Sequence, residues 1–399
     1  MSWGELLIHE IKAIFSNFPL LLTVFGGVFL YSFLYPLPYS QQLPRDQAVV
    51  VVDLDNSAVS RKLIRMADAT PQIDINRFVY NIKDAQQAIE EDGLAGMLII
   101  PEKFYRNILL GHSPTLSYAG DAGYFLVFST VVEGLATAGG TLGAEIKVLH
   151  HMIEGKTSIT AEQQYSPMYL NLRPVFNMTG GYINYVVPAV FVVILYQTLL
   201  IGIGMLGATQ NEKDAMGEKG YWQHVPGWKL LLARSLIFLM IYFVLTMYYF
   251  GYGFDYYTIS KLAAPLELIH LIIPFLLATS FFGIFIGLLI PRPELVTVLI
   301  LFTSLPIVFS AGFVWPLNML PVPLIDLSQI FPAIPAIQAF LQLNQMGADF
   351  SQIHPLWLQL WLQTFVYGVL SLWLLNKKRS ANINIRMPPP GSFLRIGNK

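Results

Sequence analysis

A single apolar stretch at residues 14–37 is followed by a long water-compatible segment, and then by five further apolar stretches between residues 182 and 376. Bilayer hydrocarbon is about 30 Å thick, so a helix needs roughly 20 apolar residues to cross it. Stretches at 18–37, 183–208, 230–251, 268–290, 295–315 and 356–376 satisfy that length. No charged residue occurs between Arg234 and Asp255, between Glu267 and Arg292, or between Asp349 and Lys377. Residues 38–180 instead hold 11 of the 24 Lys/Arg and 15 of the 25 Asp/Glu. The layout predicts an α-helical polytopic membrane protein with six transmembrane helices. An α/β extracytoplasmic domain is inserted between the first and second spans.

Residues 1–17 read as a cytoplasmic amphipathic interfacial helix. Trp3, Leu6, Leu7, Ile11, Ile14 and Phe15 share one face, with Glu5, His9 and Lys12 opposite. Asn17-Phe18-Pro19 breaks that pattern and the first span runs from 18 to 37. In the 38–180 domain, Ala48–Val52, Ile73–Val79 and Ala95–Ile100 read as strands, with helices starting near Ala58 and spanning Lys83–Asp92. Residues 122–154 form one long helical pattern containing Glu133, where a buried charge costs about 2.5–3.5 kcal/mol on insertion scales. That pattern reads as a helix packing on the α/β domain, the alternative being a seventh span. Residues 181–376 hold the other five spans, with a loop at 209–229 and a proline-rich outer loop at 316–355 containing a short amphipathic or re-entrant helix around 333–346. A basic tail occupies 377–399.

Basic residues near span ends mark the cytoplasmic side. Lys213, Lys219 and Lys229 lie in the 209–229 loop, Arg292 in a tight turn, and six basic residues in the tail. The opposite loops, 252–266 and 316–355, carry only Lys261 between them. Both termini are therefore expected in the cytoplasm and the 38–180 domain outside. The N-terminus shows no basic region or small-residue cleavage site, so no removable signal is expected.

Chemical motifs are scarce. There is no cysteine, hence no disulfide or thiolate metal site. The sequence has no phosphate-binding Gly-rich loop ending in Lys-Ser/Thr, no His-Glu-x-x-His and no Gly-x-Ser-x-Gly. His150-His151 with Glu154 reads as a solvated helix end, since adjacent histidines on a helix point apart. The net charge of −1 argues against nucleic-acid binding. Ionisable residues are nearly absent from the spans, which disfavours an ion-coupled carrier. Glu267 and Glu294 sit at span ends as capping or snorkelling residues.

The order of amphipathic helix, span, large external domain and five clustered spans resembles the type 2 ATP-binding-cassette (ABC) transporter permeases, in particular the bacterial subgroup with a large insertion after the first span. Val49-Val50-Val51-Val52-Asp53-Leu54-Asp55-Asn56-Ser57-Ala58-Val59-Ser60-Arg61 is similar to that subgroup's strand followed by Asp-x-Asp-x-Ser and Ser-Arg. Leu305 to Pro321 is similar to the family's fifth-span ending, with an alanine between Ser310 and Gly312 and a leucine between Met319 and Pro321. The loop after the second span departs from the family's Glu-x-Glu-x-Gly-Thr. Here it reads Glu212-Lys213-Asp214-Ala215-Met216-Gly217-Glu218, with the acids displaced and no threonine.

The resemblance implies a permease subunit of an ATP-driven exporter for hydrophobic or amphiphilic molecules. The chain would bind no cofactor itself, ATP and Mg residing on separate ABC ATPase subunits. Glu5, Glu10, Glu212, Lys213, Asp214 and Glu218 would form the ATPase-coupling surface. A second permease subunit, identical or paralogous, would pack through the first and fifth spans. There Gly26, Gly27, Ala311 and Gly312 allow close approach. Phe302, Phe309, Phe313 and Trp315 either line an apolar route or face lipid. The resemblance also suggests a periplasmic adaptor protein and a Gram-negative inner membrane. The competing reading is a non-transport, receptor-like membrane protein with a ligand-binding outer domain.

Overall fold

The structure is a computed structural model and describes residues 1–39, 44–155, 157, 159–160, 175–177 and 181–386. The tail beyond Arg386 lies outside the described residues. The chain divides into two compact units, one formed by residues 1–40 and 175–399 and the other by residues 41–174.

The first unit is helical. It begins with α1 (Trp3–Phe15), opened by a reciprocal capping box between Ser2 and Glu5. Asn17 caps α2 (Phe18–Tyr39), which contains a π-helical turn at Leu22–Gly27.

In the second unit, the β-branched run Val49–Val52 lies within β1 (Gln47–Asp53). It is followed in order by α3 (Ala58–Asp68), β2 (Ile73–Val79), α4 (Ile82–Asp92), β3 (Gly96–Ile100), α5 (Phe104–Leu109), β4 (Ser117–Gly120) and α6 (Phe125–Ile153). The sheet order is β2-β1-β3-β4, with β4 antiparallel and a register shift between Val49 and Val50. β1 is apolar from Ala48 to Val52 because both its faces are covered. Val49 and Val51 pack with Leu63, Ile73 and α6 residues Val131, Ala138 and Leu142, whereas Val50 and Val52 pack with Ala85 and Met97. Gly134 brings α6 close to the sheet, since a Cβ there would stand 2.9 Å from Ile73 Cδ1. The Asp-x-Asp-x-Ser motif is the hinge between β1 and α3. Asp53 Oδ1 accepts from the Asp55 and Asn56 amides, Ser60 Oγ donates to Asp53 Oδ2 at 2.6 Å, and Ser57 caps α3.

The helical unit continues with α7 (Val186–Ala215), α8 (Gly227–Tyr256), α9 (Pro265–Leu289), α10 (Pro293–Ser310), α11 (Val322–Ser328), α12 (Ala333–Gln345) and α13 (Phe350–Arg386). Among the described residues, α2, α6, α7, α8, α9, α10 and α13 are long and apolar enough to cross a membrane. The bent pair α11–α12, at 96°, would make an eighth segment. Hydropathy alone predicts six spans, and α6 is the addition. α7 is the hub, buried along nearly its whole length from Val187 to Gln210.

α7 and α9 cross backbone to backbone. A Cβ on Gly287 would lie 2.7 Å from the Gly204 carbonyl oxygen, and one on Gly207 would lie 3.1 Å from the Gly287 carbonyl carbon. A Cβ on Gly283 would lie 3.1 Å from the side-chain Cβ of Ile203. Small residues spaced along facing helices permit this approach. Breaks in the helices are met by side chains. Pro274 has no amide proton for the carbonyl four residues before it, and Trp357 Nε1 donates to that His270 carbonyl at 2.9 Å. Tyr249 Oη donates to the Val28 carbonyl just beyond the π turn at 2.7 Å, and Tyr257 Oη to the Ser32 carbonyl at 2.9 Å.

Gly287→Val drives a side chain into the Gly204 backbone. Overpacking of this kind costs about 1–3 kcal/mol, so the variant is expected to melt several degrees lower in a thermal-stability assay of the purified protein, while Gly251→Ala, with open space around it, does not.

Candidate functional site

The helical unit holds one fully buried ion pair among its described residues. Glu10, on the inward face of α1 with Leu6 and Ile14, is 0% exposed, and Arg234, about two turns into α8, is 1% exposed. Arg234 Nε donates to Glu10 Oε2 at 2.9 Å and Nη2 to Glu10 Oε1 at 2.9 Å, a two-point fork. Arg234 Nη2 also donates to Gln210 Oε1 at 2.8 Å, near the end of α7. Tyr221, in the turn between α7 and α8, donates its hydroxyl to Glu10 Oε1 at 2.7 Å and accepts from Gln210 Nε2 at 3.3 Å. Burial pushes the Tyr221 hydroxyl well above its ordinary pKa; Glu10 adds to that shift and Arg234 opposes it. The phenol therefore keeps the proton it donates.

An apolar layer seals this network. Leu6, Val225, Leu230 and Ala233 pack together with Leu7, Tyr221 and Trp222 against them. His9 stacks on Tyr221 with ring centroids 5.3 Å apart. Trp3 meets Trp228 edge-on, and Lys229 Nζ lies 5.3 Å from the Trp3 ring centre.

The α7–α8 loop is folded by its own residues. Gly217, at φ +79°, ends α7 in the left-handed region that glycine adopts without strain. The Glu218 amide returns to the Lys213 carbonyl at 2.9 Å. Asp214 Oδ1 accepts from Trp222 Nε1 at 2.9 Å and from Gln223 Nε2. Asn211 Nδ2 donates to the open carbonyls of Gly287 and Ile290 at the end of α9, and Lys378 Nζ of α13 donates to Asn211 Oδ1 at 2.6 Å.

The structure distributes the predicted coupling residues unevenly. Glu10 is not on the surface: it is the anion of the buried pair, because α1 needs a partner for Arg234. Glu5 serves the capping box and Asp214 holds the loop together. Glu212 is half-buried. Lys213 and Glu218 are outward, with side chains 47% and 55% exposed and 3.9 Å apart. The sequence reading missed Arg234, Gln210, Tyr221, Asn211 and Lys378. An arginine inside an apolar run requires a buried partner, and that signal was present at Arg234.

The predicted small-residue and aromatic positions are also separated. Gly27 faces Thr198 of α7 at 3.3 Å and so serves packing within the chain, whereas a Cβ on Gly26 would meet only Leu22 of its own helix. Phe302 (81% exposed) and Phe309 lie on the outward face of α10, while Ala311 and Phe313 are buried. Gly312, at φ +89°, makes the turn after α10 against Leu317.

A family model for ABC-2 family transporter proteins matches residues 19–373. The chain belongs to this family. It is thus the membrane subunit of an ABC transporter, a multi-pass permease that associates with ABC ATPase subunits and lies in a membrane. No curated protein matches the permease in sequence.

Removing one partner of a buried pair leaves an uncompensated charge, at about 3–5 kcal/mol. Glu10→Ala in the permease is therefore expected to cause a large loss of thermal stability. The double variant Glu10→Leu/Arg234→Met should recover most of it, and a double-mutant cycle on melting temperatures reads the difference.

Proposed function

We propose that this permease is the transmembrane half of an ATP-driven exporter whose contact with the ATPase is the surface formed by α1 and the α7–α8 loop. The observation that carries this reading is the Glu10–Arg234–Gln210–Tyr221 network. It fastens an amphipathic helix, the end of α7, the loop and the start of α8 into one rigid piece, so a push on the loop is delivered to two spans and the surface helix together. Lys213 and Glu218 stand on the outer side of that piece and are the residues placed to meet a partner.

The permease binds no ATP itself; ATP and Mg belong to the ATPase subunits. Its six spans are α2, α7, α8, α9, α10 and α13, and α6 is a packing helix of an α/β domain outside the membrane. Burial of Val131, Ala138 and Leu142 against β1 and α3 residues supports that assignment. Lys213, Lys219, Lys229 and Arg292 support cytoplasmic termini by the excess of positive charge on one side. A second permease subunit packs on α2 and α10, the two least buried of the six spans, with Phe302 and Phe309 at the contact. The cargo is hydrophobic or amphiphilic, the membrane is a bacterial inner membrane, and a periplasmic adaptor protein receives the cargo.

The test is ATPase activity of the gently solubilised complex, purified through a tag on the permease. Lys213→Glu/Glu218→Lys alters exposed side chains, whose substitution shifts stability by within about 0.5 kcal/mol. The variant is expected to keep its melting temperature yet recover the ATPase at several-fold lower yield. A permease that purifies alone, without nucleotide hydrolysis, sinks the proposal and favours a receptor-like protein.

A further inference from the structure

The α/β unit contains a cavity of about 490 Å³ between α5, the 111–116 segment and α6. That volume falls within the about 300–1,000 Å³ typical of small-molecule sites. Its walls are apolar, formed by Phe104, Ile108, Leu116, Leu142 and Ile146. Its polar lining is almost entirely basic or neutral: His112, Ser113, Lys147, His150 and His151, with no Asp or Glu among the described lining residues. Glu154, next along the helix, pairs with His151 Nδ1 at 3.2 Å. A second apolar cavity of about 320 Å³, lined by Leu98, Val132 and Leu135, shares Leu116 and Gly139 with the first. The two together follow α6 from Val132 to His151, about 28 Å at 1.5 Å per residue. The basic groups lie toward one end, and toward the other the lining is apolar apart from Ser117 and Tyr118.

Glycines keep this trough open. A Cβ at Gly140 or Gly143 would touch nothing within 4 Å, and one at Gly139 would make an ordinary contact with Leu116 at 3.5 Å. Glycine weakens a helix interior relative to alanine, and no close backbone approach requires it at Gly140 or Gly143. These positions are therefore unlike Gly134, which is needed for packing. What their lack of side chains provides is space, beside the basic rim at Gly143 and beside the apolar wall of the second cavity at Gly140.

We propose that this trough binds a single-chain amphiphile with an anionic head, such as a fatty acid or a lysophospholipid. The chain lies along the apolar wall of α6 and the head meets Lys147 and the histidines. The site belongs to the α/β unit alone, and its occupancy is measured without ATPase or transport. Failure of the exporter reading would leave it standing.

The experiment labels the full-length chain, held in phosphatidylcholine nanodiscs, with a fatty acid carrying a diazirine on its chain, and maps the labelled peptides by mass spectrometry. Label is expected on residues 104–116 and 132–151. Excess oleate should compete it away and oleyl alcohol should not; lysophosphatidate is run in parallel to show which anionic head is preferred. Gly143→Leu fills the trough and should lower that label by about tenfold. Lys147→Gln, which removes the charge and keeps a polar side chain of similar size, should lower it several-fold while leaving labelling by a neutral diazirine alcohol and the melting temperature unchanged. Label confined to other helices, equal competition by oleyl alcohol, or labelling unchanged in both variants would each overturn the proposal.

Discussion

A backbone carbonyl or amide left open in hydrocarbon costs several kcal/mol, so every irregularity in a spanning helix must be answered from inside the protein. This permease meets that requirement with side chains on neighbouring helices. Trp357 takes the carbonyl freed by Pro274, and Tyr249 and Tyr257 take carbonyls beyond the π turn of α2. The gap between α11 and α12 is served by a stripe on α13: Gln363 donates to the Gln329 carbonyl at 2.7 Å, Gln359 to the Gln329 side chain at 2.9 Å, and Tyr367 to the Ile330 carbonyl. Glutamines at 359 and 363 in an otherwise apolar helix are thus structural counterparts of a broken helix elsewhere.

The Glu10–Arg234 pair follows the same logic with charge. Buried ion pairs contribute little net stability against an apolar replacement, but removing one member is expensive. Their value is in specifying a single arrangement. Here the two-point fork, with Gln210 and Tyr221 added, leaves α1 one register on α8. An amphipathic helix held only by Leu6 and Ile14 could slide; one whose carboxylate must meet a guanidinium cannot.

What the sequence made legible follows from period and length. The run Val49–Val52 and the stretch Ile73–Val79 announce β1 and β2 because apolar, β-branched residues have few other places to go, and the long charge-free intervals announce α8, α9 and α13. Pairings between distant positions were not legible. Nothing local to Glu10 distinguishes a partner inside the protein from one outside, and Gly204, Gly207, Gly283 and Gly287 look no different in sequence from Gly26 until the helices are placed side by side. α6 was ambiguous for a physical reason: its apolar face is wide enough for lipid, and only its packing on β1 assigns that face to the sheet. The residues that matter most at the candidate site were therefore readable as anomalies, an arginine or a glutamine in an apolar run, but not as pairs.

The glycine crossing of α7 and α9 also bears on how the molecule deforms. Most helix pairs are cushioned by side chains whose rotamers can shift by small steps, but here main chain rests on main chain. Such a contact has no intermediate settings. α7 and α9, with α13 bonded to α9 through Trp357 and through Ser371 to the Phe281 carbonyl, form a stiff spine, and strain entering at either end is relieved in the parts that hang from it. α2, with its wound-out π turn, and α10, with Pro306 in its last turns, are the flexures.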